Sequence, residues 1–326
     1  MIVKLSGPVI VVLSMVAMLC TGCARPTYKP SDDSSVLTEE EKWSALLEDS
    51  SAFAASASKE SSASEESSAS VSSALIDRLR GREWHIGPEI YYSKYREPGL
   101  MKETGMFYGL TVGFTSRYWV PASPEEEPWE SKWMARAEGR FAYGRVDYDG
   151  ATWGGTPLTI NDIDDFVWEI RLLMGPDFPG ATTMLTPFGG IAYRYLNDNS
   201  SSHVSGYERE SNYLYVPLGL EMITQLDDGW SYGAAVEFDL FLWGKQTSHL
   251  SDVGASDVSN RQEKGYGVRA SVKLQKKTNR IDFIIEPFIR YWNIADSEIE
   301  TVSGLGAVLE PENQTVEAGI RLILAF

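Results

Sequence analysis

Cysteine is almost missing from this 326-residue chain: two occur, Cys20 and Cys23, and none lies beyond them. The rest of the chain can therefore form no internal disulfide, even in a compartment that would permit one. Histidine is scarce as well. His85, His203 and His249 lack close neighbours of the type that complete a metal site. Bases are outnumbered by acids, 29 to 46, for a formal net charge of −17. Such a balance disfavours nucleic acid and favours cationic or cation-bridged partners. Beyond Cys23 no Gly-rich phosphate loop, nucleophile elbow or CxxC pair occurs, and no loop has the regular ligand spacing of an EF-hand. The expectation is a protein with no cofactor and no metal centre.

What is present points to a membrane. Residues 313–326 read N-Q-T-V-E-A-G-I-R-L-I-L-A-F. Val316, Ala318, Ile320, Leu322, Leu324 and Phe326 share one strand face, while Thr315, Glu317, Gly319, Arg321, Ile323 and Ala325 lie on the other. In a water-soluble sheet the apolar face turns inward. In a membrane barrel it turns out to lipid and the ions face the lumen. A terminal aromatic on such a strand resembles the assembly signal of bacterial outer-membrane barrels.

The N-terminus agrees on compartment. Lys4 precedes an apolar run, Val9–Leu19, too short to span a bilayer comfortably, so it reads as a secretory signal. Leu19-Cys20-Thr21-Gly22-Cys23 resembles a bacterial lipoprotein cleavage box, departing from it at Cys20, where Leu is usual. The resemblance implies lipidation of Cys23, and Ala24 in place of Asp implies release from the inner membrane. Residues 24–80 are expected to be a disordered tether. The stretch from Ser50 to Ser73 is rich in Ser, Ala and Glu and cannot bury enough surface to offset chain entropy. Short helical turns are expected near Glu39–Glu48 and Ser73–Arg80.

From Trp84 onward the alternation predicts about ten strands: 84–96, 105–118, 132–146, 165–174, 184–196, 212–224, 230–243, 265–275, 282–293 and 313–326. Outward faces such as Leu214-Val216-Leu218-Leu220 and Phe166-Trp168-Ile170-Leu172 are strongly apolar. Links 175–183, 225–229 and 276–281 are short, whereas 147–164, 197–211, 244–264 and 294–312 are long and polar. That parity is expected of barrels with short periplasmic turns and long outer loops. Link 97–104 is shorter, and link 119–131 longer, than its parity predicts. Trp and Tyr gather near strand ends, as interfacial girdles require. The fold class predicted is an all-β, antiparallel, up-and-down transmembrane β-barrel over residues 81–326. A soluble β-sandwich is the competing fold.

The predicted lumen faces carry nearly equal charge of both signs. The acids are Glu89, Glu138, Glu169, Glu221, Glu237, Asp239, Glu286 and Glu317; the bases are Arg136, Arg140, Arg171, Arg194, Arg269, Lys273, Arg290 and Arg321. A ten-stranded barrel is narrow, and buried charges persist when paired, so a salt-bridged plug is expected rather than an open channel. Phe188, Phe241, Trp243, Phe288 and Trp292 are expected to fill it further. A selective pore would instead carry one sign in excess.

One constellation suggests chemistry. Asp147-Tyr148-Asp149 stands at the outer end of the third strand, and His249 is followed by Asp252 in the fourth long loop. Ten strands with a paired Asp at one rim and a His with Asp opposite resemble the omptin proteases. The resemblance implies a water held by Asp147 and Asp149, with His249 as general base. It departs from the family in the second pair, His-x-x-Asp where the family has Asp-x-His. Residues 84–326 also resemble a broad group of small outer-membrane barrels without assigned activity, through Glu286-Pro287-Phe288-Ile289-Arg290-Tyr291-Trp292 and Glu310-Pro311-Glu312-Asn313.

The function expected is noncatalytic: surface binding, adhesion or envelope structure through the outer loops, with an omptin-like endopeptidase and a narrow channel as alternatives. Tyr148, Trp153, Tyr207 and His249 are the loop residues expected to bear binding. The partners expected are outer-membrane lipids and an unidentified extracellular ligand, for a monomer without nucleic acid.

Overall fold

The computed structural model describes residues 81–120, 131–152, 155–203, 206–302 and 306–326. The cleavage box, Cys23, the 24–80 tether with its two helical turns, and Trp153 lie outside the described residues.

Ten long antiparallel strands form the wall. They are β1 (Gly81–Glu97), β2 (Met101–Val120), β3 (Ser131–Ala151), β4 (Pro157–Pro176), β5 (Thr183–Asn199), β6 (Glu208–Gln225), β7 (Trp230–Ser248), β8 (Gly265–Lys276), β9 (Asp282–Ile294) and β10 (Asn313–Ala325). Each pairs with its neighbours in sequence, and β10 pairs back onto β1 from His85↔Ala325 to Arg96↔Gln314. The sheet is thus a closed barrel without a free edge, which alone lets strands cross lipid with every backbone group satisfied.

The alternation runs opposite to that of a soluble protein. Ile86, Ile90, Leu110, Val112, Phe141, Ile170, Leu172, Leu218, Phe238, Ile285 and Leu322 are exposed on the outside, while Glu89, Arg140, Glu169, Arg194, Asp239, Arg290 and Glu317 are buried inside. A water-soluble sandwich would reverse this, so the competing fold is excluded. Aromatics bound the apolar band. Trp84, Trp230, Tyr232 and Phe326 are exposed toward the end where β1 begins and β10 finishes, here the terminal end; Tyr92, Tyr108 and Tyr143 are exposed toward the other, the loop end. From Trp84 to Tyr92 a strand tilted by ~40° covers about 20 Å of bilayer normal, near the height of the usual apolar band.

Several strands are longer than that band needs. β3 has 21 residues and β4 has 20. Their paired wall projects beyond the loop-end girdle and consumes residues the sequence assigned to loops. The expected loop 147–164 shrinks to 152–156, and 197–211 to 200–207. The fourth loop keeps a 3₁₀ turn, Leu250–Val253, and a short strand, Val258–Gln262, paired to β7. The fifth contains a small hairpin, Glu300–Val302 with Gly306–Val308. The expected loop 97–104 is a tight turn between Glu97 and Met101, with Gly99 at φ 82°.

Two bulges re-aim side chains. Leu214 pairs with Trp243 and Tyr215 with Phe241, leaving Leu242 as the extra residue of β7. Beyond it the inward parity switches to Gly244, Gln246 and Ser248, all buried. Trp243 is therefore outside the lumen, and its assignment as an interior residue is corrected. In β4, Asn161 and Asp162 together oppose Asp147, and Asp162 adopts φ 60°.

Candidate functional site

The lumen is where polar chemistry concentrates, and its middle is a continuous ion network. Glu317 on β10 receives Arg290 at 2.7 Å, Arg194 at 2.7 Å and Arg140 at 3.3 Å. Arg140 also reaches Glu169 at 2.9 Å and Glu89 at 3.4 Å. Arg269 joins Glu169 at 2.6 Å and Asp239 at 2.7 Å, and the Tyr215 hydroxyl donates to Glu169 at 2.7 Å. Arg171 bridges Glu138, at 2.6 Å, and Glu237. Arg321 spans Glu89 at 3.1 Å and Glu286 at 3.3 Å. Nearer the terminal end, Arg136, Arg117 and Lys273 converge on Glu221 at 2.8, 3.2 and 3.2 Å.

Period-two alternation puts these residues in one enclosure. The narrow bore then lets a guanidinium from one strand meet carboxylates from strands across it. Arg117 also reaches Asp177 at 3.4 Å, so nine bases in this network face nine acids. Arginine suits the role because its planar fork serves several carboxylates at once. Aromatics close the gaps: Tyr91 stacks on Phe107 at 5.1 Å, and Trp292 meets Tyr215 edge-on at 5.0 Å. Phe188, Phe241, Phe288 and Trp292 are all buried there. Two residual cavities, of about 110 and 270 Å³, lie from this network toward the terminal end.

The loop end differs. Arg209 on β6 contacts Asp198 at 2.7 Å, Glu97 at 2.9 Å and Glu103 at 2.9 Å. Asp165 and Glu310 are buried close by, and each leaves an oxygen without a hydrogen-bond partner. Burial, reinforced by Glu97, pushes the Glu310 carboxyl up to about 8. The fourth and fifth loops cover this end together. Asn260 donates to the Glu298 carbonyl at 3.3 Å, Glu298 N–H donates to the Arg261 carbonyl at 3.0 Å, and Leu250 is buried beneath.

The residues expected to act as a protease are not brought together. Asp147 and Asp149 lie on the exposed outer face of β3. Asp147 Oδ1 accepts the Asp162 N–H at 3.2 Å, which caps the β4 bulge, and Asp149 pairs with Lys102 at 3.0 Å. His249 stands between Glu210 at 3.7 Å and Asp257 at 3.6 Å, while Asp252 instead accepts the Glu208 N–H at 3.0 Å. The Ser251 backbone N–H holds Asp257 below the usual carboxylate range. Of the loop residues expected to bind, Tyr207 is half-buried, and desolvation pushes its hydroxyl up to about 12. Tyr148 packs against the buried cluster of Tyr91, Phe107 and Val146.

Sequence reading missed Arg117 and the whole loop-end cluster: Glu97, Glu103, Asp165, Asp198, Arg209 and Glu310. The signal was present. Carrying the inward alternation through each strand and past its predicted end, as in Phe107-Gly105-Glu103 and Arg194-Leu196-Asp198, reaches all of them but Glu310, which lies in the fifth loop.

These features define a class, a closed ten-stranded outer-membrane β-barrel with a plugged lumen. Solved structures of bacterial outer-membrane proteins are similar to it. The outer membrane protease OmpT from Escherichia coli superposes with a TM-score of 0.51 at 10% identity, covering 75% of this chain and 96% of that one. The translocator domain of the autotransporter NalP from Neisseria meningitidis gives 0.35 at 13% identity, with 82% and 96% covered. OprG from Pseudomonas aeruginosa gives 0.30 at 12%, with 76% and 97% covered. At 10% identity the likeness to OmpT is one of fold. No family model and no curated protein matches the sequence.

Proposed function

We propose that this barrel is a noncatalytic surface-binding, adhesion or envelope-structural protein that acts through its loop end, turned away from the cell. The observation that carries the reading is the mid-lumen network. Its buried ion pairs leave no one-signed path for a solute, so function moves to the rim. Exposed Leu100, Val253, Ile299 and Leu309 on the loop-end connections give that rim apolar contact points among acids. Cys23 would carry the lipid anchor and residues 24–80 the tether.

The two alternatives have less support. A hydrolase of the OmpT kind needs its paired aspartates and its histidine to converge on one cleft, and β3 turns Asp147 and Asp149 outward. A channel needs the network to part.

The test presents the refolded full chain to matrix proteins, glycans and lipopolysaccharide, beside a variant whose 249–264 and 295–312 segments are replaced by short turns. Binding by the parent and its loss in the folded variant is expected. Cleavage of a mixed peptide library, or steady conductance in a planar bilayer, would overturn the reading.

A further inference from the structure

The loop-end cluster carries an inference independent of what the rim binds. We infer that Glu103, Asp165 and Asp198 form a site for a hard divalent cation, calcium in preference to magnesium.

The three carboxylates come from β2, β4 and β5, and each offers an oxygen within 4.8 Å of the other two. Calcium–oxygen bonds of about 2.3–2.6 Å place ligands on opposite sides of the ion roughly 4.6–5.2 Å apart, so this spread suits the ion. Magnesium requires shorter bonds and near-ideal octahedral geometry. The donors are all oxygen, with no imidazole or thiolate to favour a softer metal.

Three further observations ask for a positive charge there. Asp165 and Asp198 are direct cross-strand partners on β4 and β5, an arrangement that destabilises a sheet when both are ionised. They are 5% and 6% exposed, and Oδ1 of each lacks a hydrogen-bond partner. Arg209 is shared among Glu97, Glu103 and Asp198, and makes no ion pair with Asp165. Arg194 lines the same cavity, but its ion pair is with Glu317. The cavity between them measures about 30 Å³, enough for an ion or a water molecule.

Terbium serves as the probe, because the Tyr95 hydroxyl donates to Glu97 Oε1 at 3.0 Å and places an aromatic antenna beside the cluster. Full-length protein, refolded in detergent and stripped with chelator, is titrated with terbium at neutral pH and then back-titrated with calcium. Saturable tyrosine-sensitised emission, displaced by calcium more readily than by magnesium, is expected. Asp165→Asn with Asp198→Asn should weaken calcium binding by at least about tenfold, while the exposed pair Asp147→Asn with Asp149→Asn should leave it unchanged. Glu103→Gln serves as a second variant should the double one not fold, and is expected to weaken binding in the same direction. Absence of a saturable site in the folded parent would overturn the inference and assign the balancing charge to shared protons. So would equal binding by the folded site variant and the parent, which would mean diffuse attraction to an acidic surface.

Discussion

The middle and the loop end of the lumen are built from the same residue types at similar burial, yet they balance charge differently. In the middle, Glu317 alone collects Arg140, Arg194 and Arg290. At the loop end, Arg209 alone serves Glu97, Glu103 and Asp198, with Asp165 and Glu310 beside them. Burying charge costs several kcal/mol per ion unless pairing returns it. The middle meets that condition within the chain. The loop end does not, and this makes it the part of the barrel whose state depends on what the solution supplies, protons or cations.

The comparison is most directly broken by removing one acid from each region. Glu317→Ala leaves three buried guanidiniums short of a partner and should lower stability by about 3–5 kcal/mol, read as loss of the heat-modifiable folded band or a fall in the urea midpoint. Asp165→Asn, measured in chelator, should move the midpoint the other way by roughly 1 kcal/mol, because it relieves repulsion with Asp198. Equal signs for the two would show that the regions are not electrostatically distinct.

Smaller effects sharpen the contrast. Tyr215→Phe removes the hydroxyl between Arg269 and Glu169 and should cost about 1–2 kcal/mol in the same assay. Glu310 gives a pH test. Its folded-state value of about 8 lies above the ordinary 4.5. Between those two pH values the folded state holds a proton that the unfolded state has lost, so stability falls as pH rises through the window. A slope of order 1 kcal/mol per pH unit is expected there, and Glu310→Gln should flatten it. Lys102→Ala, which breaks the exposed pair with Asp149, should change stability by less than about 0.5 kcal/mol.

The barrel itself was legible in the sequence because lipid-facing alternation repeats through every strand, and ten weak signals in one phase reinforce one another. The mid-lumen acids and bases followed from the same phase. What escaped notice lies where the wall leaves the membrane. Above the girdle the outer face need not be apolar, so β3, β4, β5 and β6 run on through segments that read as polar loop. Asp198 and Arg209 were hidden that way. Trp243 was misassigned for another reason: the bulge at Leu242 shifts the phase by one residue, and composition does not mark it. The outward turn of Asp147 and Asp149 follows from uninterrupted alternation in β3, since the bulge opposite them belongs to β4.

The seam between β1 and β10 has a consequence in time. Glu89 pairs with Arg321 across it, joining residues 232 positions apart, and Trp84 and Phe326 close its last rung with reciprocal backbone bonds of 2.9 Å. Contacts so remote in sequence form slowly, because the intervening chain must be ordered before they return any free energy. Until they form, both terminal strands present unpaired backbone to lipid, and Glu89 and Arg321 wait unmatched. Assembly of this barrel is therefore gated by one late, all-or-none event, and the rate of that event, rather than the depth of the final well, sets how long an incomplete wall is exposed to misassembly or proteolysis.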